Sequence, residues 1–221
     1  MLDLVARHKA GEPCGIVSVC SAHPLVVEAS LRHALAARAP NALVEATCNQ
    51  VNQDGGYTGM TPVDFRDFVL AIADTVGLAR DRVLLGGDHL GPNPWTDLPA
   101  EEALAKAEVM IAAYVAAGFR KIHADCSMSC ADDPVPLPED TIARRPARLI
   151  AVSEAVWQTA CGEAPAYVIR TEVRVAGAAS ADLPLREVTT PGPHLPHTRP
   201  HKAPFHPVGL AGPRTALRDT L

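Results

Sequence analysis

Five stretches of this chain carry ionisable side chains where a hydrophobic core has no use for them. They are Ser18-Val-Cys-Ser-Ala-His23, Glu45-Ala-Thr-Cys-Asn-Gln50, Asp88-His-Leu-Gly-Pro-Asn-Pro-Trp95, His123-Ala-Asp-Cys-Ser-Met-Ser-Cys130 and Thr171-Glu172. Such a set allows metal-assisted work on a carbonyl. A divalent ion held by His and carboxylate polarises the carbonyl, and a neighbouring carboxylate moves a proton. Asp88-His89 is the sharpest pair, with His89 as ligand and Asp88 as acid or base. Strand alternation puts neighbours on opposite sides. The pair therefore works only if its strand has already turned into a loop, which Gly86 and Gly87 permit. His123 and Asp125 are two apart and share one side of a strand.

On this reading Asp88, Glu45 and Asp125 are the catalytic carboxylates. His89, His123 and Glu172 are the metal ligands, and Ser21, His23, Asn49, Gln50 and Asn93 offer polar groups to a substrate. The ion would be Zn²⁺, Mn²⁺ or Co²⁺; no cofactor is fixed by the residues alone. The competing assignments are structural. Asp88 then caps a loop, and His89 and His123 are hydrogen-bonded core histidines. Cys20, Cys48, Cys126 and Cys130 fall near the same rim, but their spacing matches no zinc ribbon or finger. Buried thiols usually behave as small hydrophobes.

These residues cluster because short β-rich runs alternate with helical patterns. Strands are expected at 15–20, 42–45, 83–87, 121–125 and 166–169. The first helix opens near Pro24, with Val27, Leu31, Ala34 and Leu35 on one face. The next starts at Thr61-Pro-Val-Asp64, carries Phe65, Phe68, Val69, Ile72 and Val76 inward, and stops at Gly77. A third spans about 100–117. A fourth spans about 141–159, where Pro146 must begin, kink or break it. The polar loop 47–60 has few apolar anchors, so an external reason for its order is expected. The alternation predicts βαβ units and a parallel sheet, as a (β/α) barrel or an open doubly wound sheet. Functional side chains gather at the carboxyl ends of such strands, where the polar stretches lie. From Leu183 to Pro213 there are eight prolines and four histidines, so an irregular tail is expected.

Composition narrows the partners. With 48% hydrophobic and 20% charged residues the chain is an ordinary globular one, not a disordered one. A net charge of -5 without a basic stripe argues against nucleic acid or an anionic membrane. The longest run without Asp, Glu, Lys or Arg is 15 residues, Pro13 to Val27, too short to span a bilayer. The N-terminus lacks the pattern of a secretory signal, so the cysteines read as cytosolic thiols and the location as cytoplasmic. Neither Gly-x-Gly-x-x-Gly nor a P-loop pattern is present.

Four blocks now stand in order: Gly15-Ile-Val-Ser-Val-Cys-Ser-Ala-His-Pro24, Glu45 to Met60, Leu85-Gly-Gly-Asp-His-Leu-Gly-Pro-Asn-Pro-Trp95 and His123 to Cys130. Over residues 1–175 the chain resembles the non-catalytic subunit of class II D-tagatose-1,6-bisphosphate aldolase, the GatZ/KbaZ-like family. The resemblance implies a TIM-type barrel in bacterial galactitol, tagatose or N-acetylgalactosamine catabolism. It also implies a catalytic aldolase subunit as partner, which the chain stabilises and activates, and a sugar phosphate as the small molecule nearby. Some relatives look like metal-dependent ketose epimerases, and Asp-His at this strand end is similar to the acid and metal ligand of class II aldolases.

The family's Gly-Thr-Glu-Val-Pro motif appears here as Arg170-Thr-Glu-Val-Arg174. A complete barrel needs eight strands and about 250 residues, whereas five βα units are legible. The expectation is an incomplete barrel over 1–175 and a truncated or frameshifted tail over 176–221. Phosphate loops after strands seven and eight would be missing, so independent catalysis on a sugar bisphosphate is not expected. Three functions follow in order: an accessory aldolase subunit, a metal-dependent ketose or ketose-phosphate epimerase or aldolase, and a fragment without function.

Overall fold

The computed structural model describes residues 1–160, 162–169 and the backbone of 215–217. Its strands are β1 (Ser18–Cys20), β2 (Ala42–Thr47), β3 (Val83–Leu90), β4 (Lys121–Ala124), β5 (Ala166–Ile169) and β6 (Thr215–Leu217). Its helices are α1 (Leu2–Lys9), α2 (Pro24–Ala36), α3 (Pro62–Val76), α4 (Ala100–Ala116) and α5 (Glu139–Thr159). All neighbouring strands are parallel, and their spatial order is their chain order. A doubly wound sheet reverses its order at a switch point; this one never does. Right-handed crossovers then put the helices that join the strands, α2 to α5, on one side. The helices do form a continuous wall, α2 on α3, α3 on α4 and α4 on α5. The fold is an α/β sheet of the incomplete TIM-barrel type, with β1 and β6 at its two ends.

Alternation sorts the strand residues. Val44, Ala46, Leu85, Ile122, Tyr167 and Ile169 point into the core between sheet and helices. The register then places Glu45, Gly86, Asp88, Lys121 and His123 on the opposite, concave face. Helix ends follow local chemistry. Thr61 and Asp64 form a reciprocal capping box, Pro62 opens α3, and Gly77 closes it at φ 78°. Helix α5 begins at Glu139 and runs through the buried Pro146, rather than starting or stopping there. Proline removes one helical N–H, so packing of Leu149, Ile150 and Ser153 must hold that turn. Helix α1 has no buried residue and no counterpart in the expected elements.

The loop 47–60 corrects one expectation: its order is internal. The buried Asn52 donates from Nδ2 to the Cys48 carbonyl at 2.9 Å, and its Oδ1 accepts from the amides of Asp54 and Gly56. Val51 is fully buried and bridges to Met60, while the Tyr114 hydroxyl donates to the Val51 carbonyl at 2.8 Å. A sparse apolar pattern hid a side-chain scaffold made of Asn and backbone. Of the tail expected to be irregular, only strand β6 is described; it pairs with β5. The remainder of 170–221 lies outside the described residues.

The loop after β4 is tied to α5 by a buried bidentate pair. Arg145 Nη1 and Nη2 donate to Asp133 at 2.8 and 2.7 Å, and Asp133 also accepts from the Cys130 amide. Hydrogen bonding to Arg145 holds the Asp133 carboxyl below the usual carboxylate range. Arg145→Ala leaves that carboxylate buried without its partner, and an unfolding free energy lower by about 3 kcal/mol is expected in urea titration. The native carboxyl is depressed, so the stabilisation is present above the unfolded value of about 4 and lost as pH falls through the folded value. The gap between wild type and variant should therefore close in acid. A gap that stays constant, or is under about 1 kcal/mol at neutral pH, would count against this role.

Candidate functional site

Asp88 and His89 share the site because β3 breaks its own alternation, not because the strand has ended. Pairing with β4 runs Gly86 to Lys121 and Gly87 to Ile122, then shifts before Leu90 meets Ala124. His89 occupies the left-handed region at φ 49°, as an inserted bulge residue does. Two glycines precede the bulge, and Gly91 follows it where a Cβ would lie 1.7 Å from the Asp125 carbonyl oxygen. Close approach of the β3 and β4 ends thus needs glycine there.

Two imidazoles meet at this break, their ring centroids 4.5 Å apart. His123 Nδ1 lies 2.8 Å from Asp88 Oδ1, and His89 Nδ1 lies 2.7 Å from Asp125 Oδ2. Carboxylates only accept, so both Nδ1 atoms carry the proton and donate. The His89 amide also lies 3.4 Å from His123 Nδ1, a far weaker contact than the carboxylate at 2.8 Å. Each neutral ring therefore keeps its Nε2 lone pair for another partner. His123 Nε2 is buried and has no hydrogen-bond partner. Asp125 is itself fixed, since its Oδ1 accepts from the Ser127 amide at 3.0 Å and the Ser127 hydroxyl at 2.7 Å.

A second layer lies one row deeper. Glu45, Gly86 and Lys121 are in register on three adjacent strands. Lys121 Nζ lies 2.7 Å from Glu45 Oε1 and 3.7 Å from Asp88 Oδ1. The missing side chain of Gly86 makes room: a Cβ there would stand 2.6 Å from Glu45 Oε1.

Burial and charge set the ionisation. Burial pushes the Asp88 carboxyl up, but the His123 hydrogen bond and the Lys121 charge outweigh it and hold the group well below the usual range. The Asp125 carboxyl is likewise raised by burial and lowered more by His89 and Ser127. The bond to Asp125 raises His89, whereas burial lowers His123 more than Asp88 raises it. Cys20, on the same face, is pushed up to about 12 by burial and by the charges of Asp88 and Glu45, so it stays a thiol. Cys48 is also pushed up to about 12, chiefly by burial, and donates to the His89 carbonyl.

Of the residues expected at the rim, Glu45, Asp88, His89, His123 and Asp125 come together. Gln50 spends its side-chain oxygen on the Thr47 amide, with the Cys20 thiol 3.8 Å away. Ser21 and His23 serve the start of α2: Ser21 Oγ accepts from the His23 amide, and His23 Nδ1 accepts from the Leu25 amide. Asn49 is exposed, and half-buried Asn93 opens a short 3₁₀ turn. Glu172 lies outside the described residues. Lys121 and Ser127 are not among the residues expected at the site, and Gly86 is expected there only as a turn former before Asp88. Lys121 stands two before His123, so alternation alone puts both on one face.

The donor set suits a divalent cation. Ligand atoms of Asp88, His89 and His123 all lie within 4.8 Å of one another. Imidazoles braced through Nδ1 by carboxylates are a common outer-shell arrangement of metal-ligating histidine. The buried, unpartnered His123 Nε2 is the atom that such an ion would satisfy.

Fold and site together define a (β/α)-barrel-type protein with an imidazole–carboxylate centre at the carboxyl ends of its strands. More narrowly, the chain belongs to the GatZ/KbaZ-like family: the model described as D-tagatose-1,6-bisphosphate aldolase subunit GatZ/KbaZ-like matches residues 1–215. It is also similar to a crystal structure of a probable tagatose 6 phosphate kinase from Sinorhizobium meliloti 1021, with 51% identity and a TM-score of 0.77. That match covers 91% of this chain and 48% of the other, so the chain spans about half of that protein's length. No helix among the described residues is long and apolar enough to cross a membrane.

Gly86→Ala tests the deeper layer. The added methyl must displace a buried carboxylate, and a loss of about 1–3 kcal/mol is expected in urea unfolding. Unchanged stability would show that Glu45 does not lie over Gly86.

Proposed function

We propose that this chain is an accessory subunit that stabilises and activates a class II tagatose-1,6-bisphosphate aldolase. The observation that carries the reading is the family match over residues 1–215, whose description is of an aldolase subunit. The proposal extends to the setting that family implies, cytoplasmic breakdown of galactitol, tagatose or N-acetylgalactosamine. The test adds the purified chain to a catalytic class II aldolase subunit and follows cleavage of tagatose 1,6-bisphosphate during mild heating. The expected result is a several-fold longer half-life of activity, kept by His89→Ala. Equal half-lives with and without the chain would contradict the reading.

One observation favours a second role for the same chain, cation-dependent chemistry on a ketose or its phosphate. It is the pair of carboxylate-braced imidazoles, with the Nε2 of His123 buried and unpartnered and the Nε2 of His89 turned toward Asp88 Oδ2 at 3.9 Å. His89, His123 and Asp88 would hold the ion, which supplies Lewis acidity toward a carbonyl oxygen. Asp88 is kept anionic, so it can hold a cation without first losing a proton, and its low proton affinity suits a ligand rather than a base. Asp125 has both oxygens engaged, which makes it the group that orients His89. Cys20 and Gln50 border the cluster and would face the substrate. Glu172 is proposed as a further ligand from its place after β5 in the sequence. His89→Ala is expected to lose both Co²⁺ binding, read by calorimetry, and any Co²⁺-dependent ketose turnover. Full Co²⁺ affinity in that variant would remove His89 from the site.

A further inference from the structure

Three carboxylates, Glu45, Asp88 and Asp125, are drawn together with two neutral-capable rings at one end of the sheet. Neighbouring carboxylates stay ionised only beside a counter-charge. In the deeper layer that charge is a side chain. Glu45 and Lys121 stand two strands apart, roughly 10 Å across the ladder. They nevertheless meet at 2.7 Å, because Gly86 leaves the place between them open. Both are largely buried, and the Lys121 ammonium reaches Asp88 as well. The contact with Glu45 is an ion pair without hydrogen-bond geometry, so charge rather than a directed bond dominates it.

We propose that Lys121 is the resident cation of this centre: its ammonium joins Glu45 to Asp88 where a second divalent ion would otherwise sit, and so limits the site to one exchangeable ion. The inference rests on the cation-binding reading of Asp88, His89 and His123. Lys121 acts through its neighbours and is a positioning residue. It neutralises Glu45, which keeps that carboxylate from competing as a ligand. It also approaches Asp88 from the side of Oδ1, the oxygen that His123 already holds. Asp88 Oδ2 is left toward His89 Nε2, 3.9 Å away. A merely structural lysine would affect stability alone. A resident cation also sets how strongly, and how many times, the site binds other cations.

The experiment is equilibrium dialysis of the purified full chain against Co²⁺, with affinity and bound metal per chain measured. His89→Ala supplies the background from binding elsewhere, including the histidines of the tail. Wild type is expected to bind one ion above that background. Lys121→Met is expected to take up a second ion, or to bind the first about tenfold more tightly, because a fixed positive charge near the site is gone. Glu45→Gln should do the reverse and weaken binding about tenfold, because the whole ammonium charge then falls on Asp88. Lys121→Met with wild-type affinity and one ion, or Glu45→Gln with unchanged affinity, overturns the proposal. Should Lys121→Met fail to fold, the isosteric Glu45→Gln decides by the same criterion. If wild type binds no ion, the cation-binding reading fails on its own. A gain of binding in Lys121→Met then still supports the role of Lys121, and no gain refutes it.

Discussion

Neighbouring residues of a regular strand face opposite ways, and the site depends on lifting that rule at one point. Between Gly87 and Leu90 the pairing of β3 with β4 slips, and His89 adopts φ 49°. Asp88 thereby keeps its place on the concave face and reaches His123, while His89 swings onto Asp125. Without the slip one of the two pairs would be lost to the helix layer. A left-handed histidine is an uncommon backbone state, tolerated where the surroundings over-determine it. Here they do, since the side chain bonds Asp125 and the carbonyl accepts from the Cys48 thiol.

Electrostatics closes around that geometry. Burial raises these carboxyls, yet Asp88 and Asp125 are both held below their ordinary range. Neighbouring groups oppose burial: His123 and Lys121 at Asp88, His89 and Ser127 at Asp125. The result is two orienting anions and two imidazoles, with the Nε2 of His123 facing no partner. The deeper Glu45–Lys121 pair occupies the room that the missing side chain of Gly86 leaves. A donor cluster of this kind is compatible with an accessory subunit, because such a cluster can fix the shape of a barrel rim as well as serve chemistry.

Much of this was legible in the sequence because parallel α/β folds collect polar side chains at the carboxyl ends of strands. Glu45, Asp88, His89, His123 and Asp125 were found by that rule. Thr61, Pro62, Asp64 and Gly77 announced α3 through capping chemistry that is local and so readable. Barrel and doubly wound sheet could not be separated by pattern, since strand order is a long-range property; the unbroken order β1 to β6 decides it. The bulge was hidden for a similar reason, because a register shift belongs to two strands at once. Lys121 was passed over because a lysine at a strand start normally reads as a solvated end. Its burial depends on Gly86, which stands in register between Glu45 and Lys121 on the strand that separates them, a relation that no single segment contains. The loop 47–60 misled because order there comes from Asn52 and Tyr114 rather than from an apolar stripe.

The central claim is that two carboxylates hold His89 and His123 in the Nδ1–H form with Nε2 presented to a cation. Long-range ¹H–¹⁵N correlation spectra of the imidazoles, recorded before and after adding Zn²⁺, test it most directly. The account predicts a neutral His123 protonated at Nδ1, and Zn²⁺-induced shifts at Nε2 of His89 and His123 that His23 and His33 do not share. A His123 protonated at Nε2, or rings at positions 89 and 123 that ignore Zn²⁺, would contradict it.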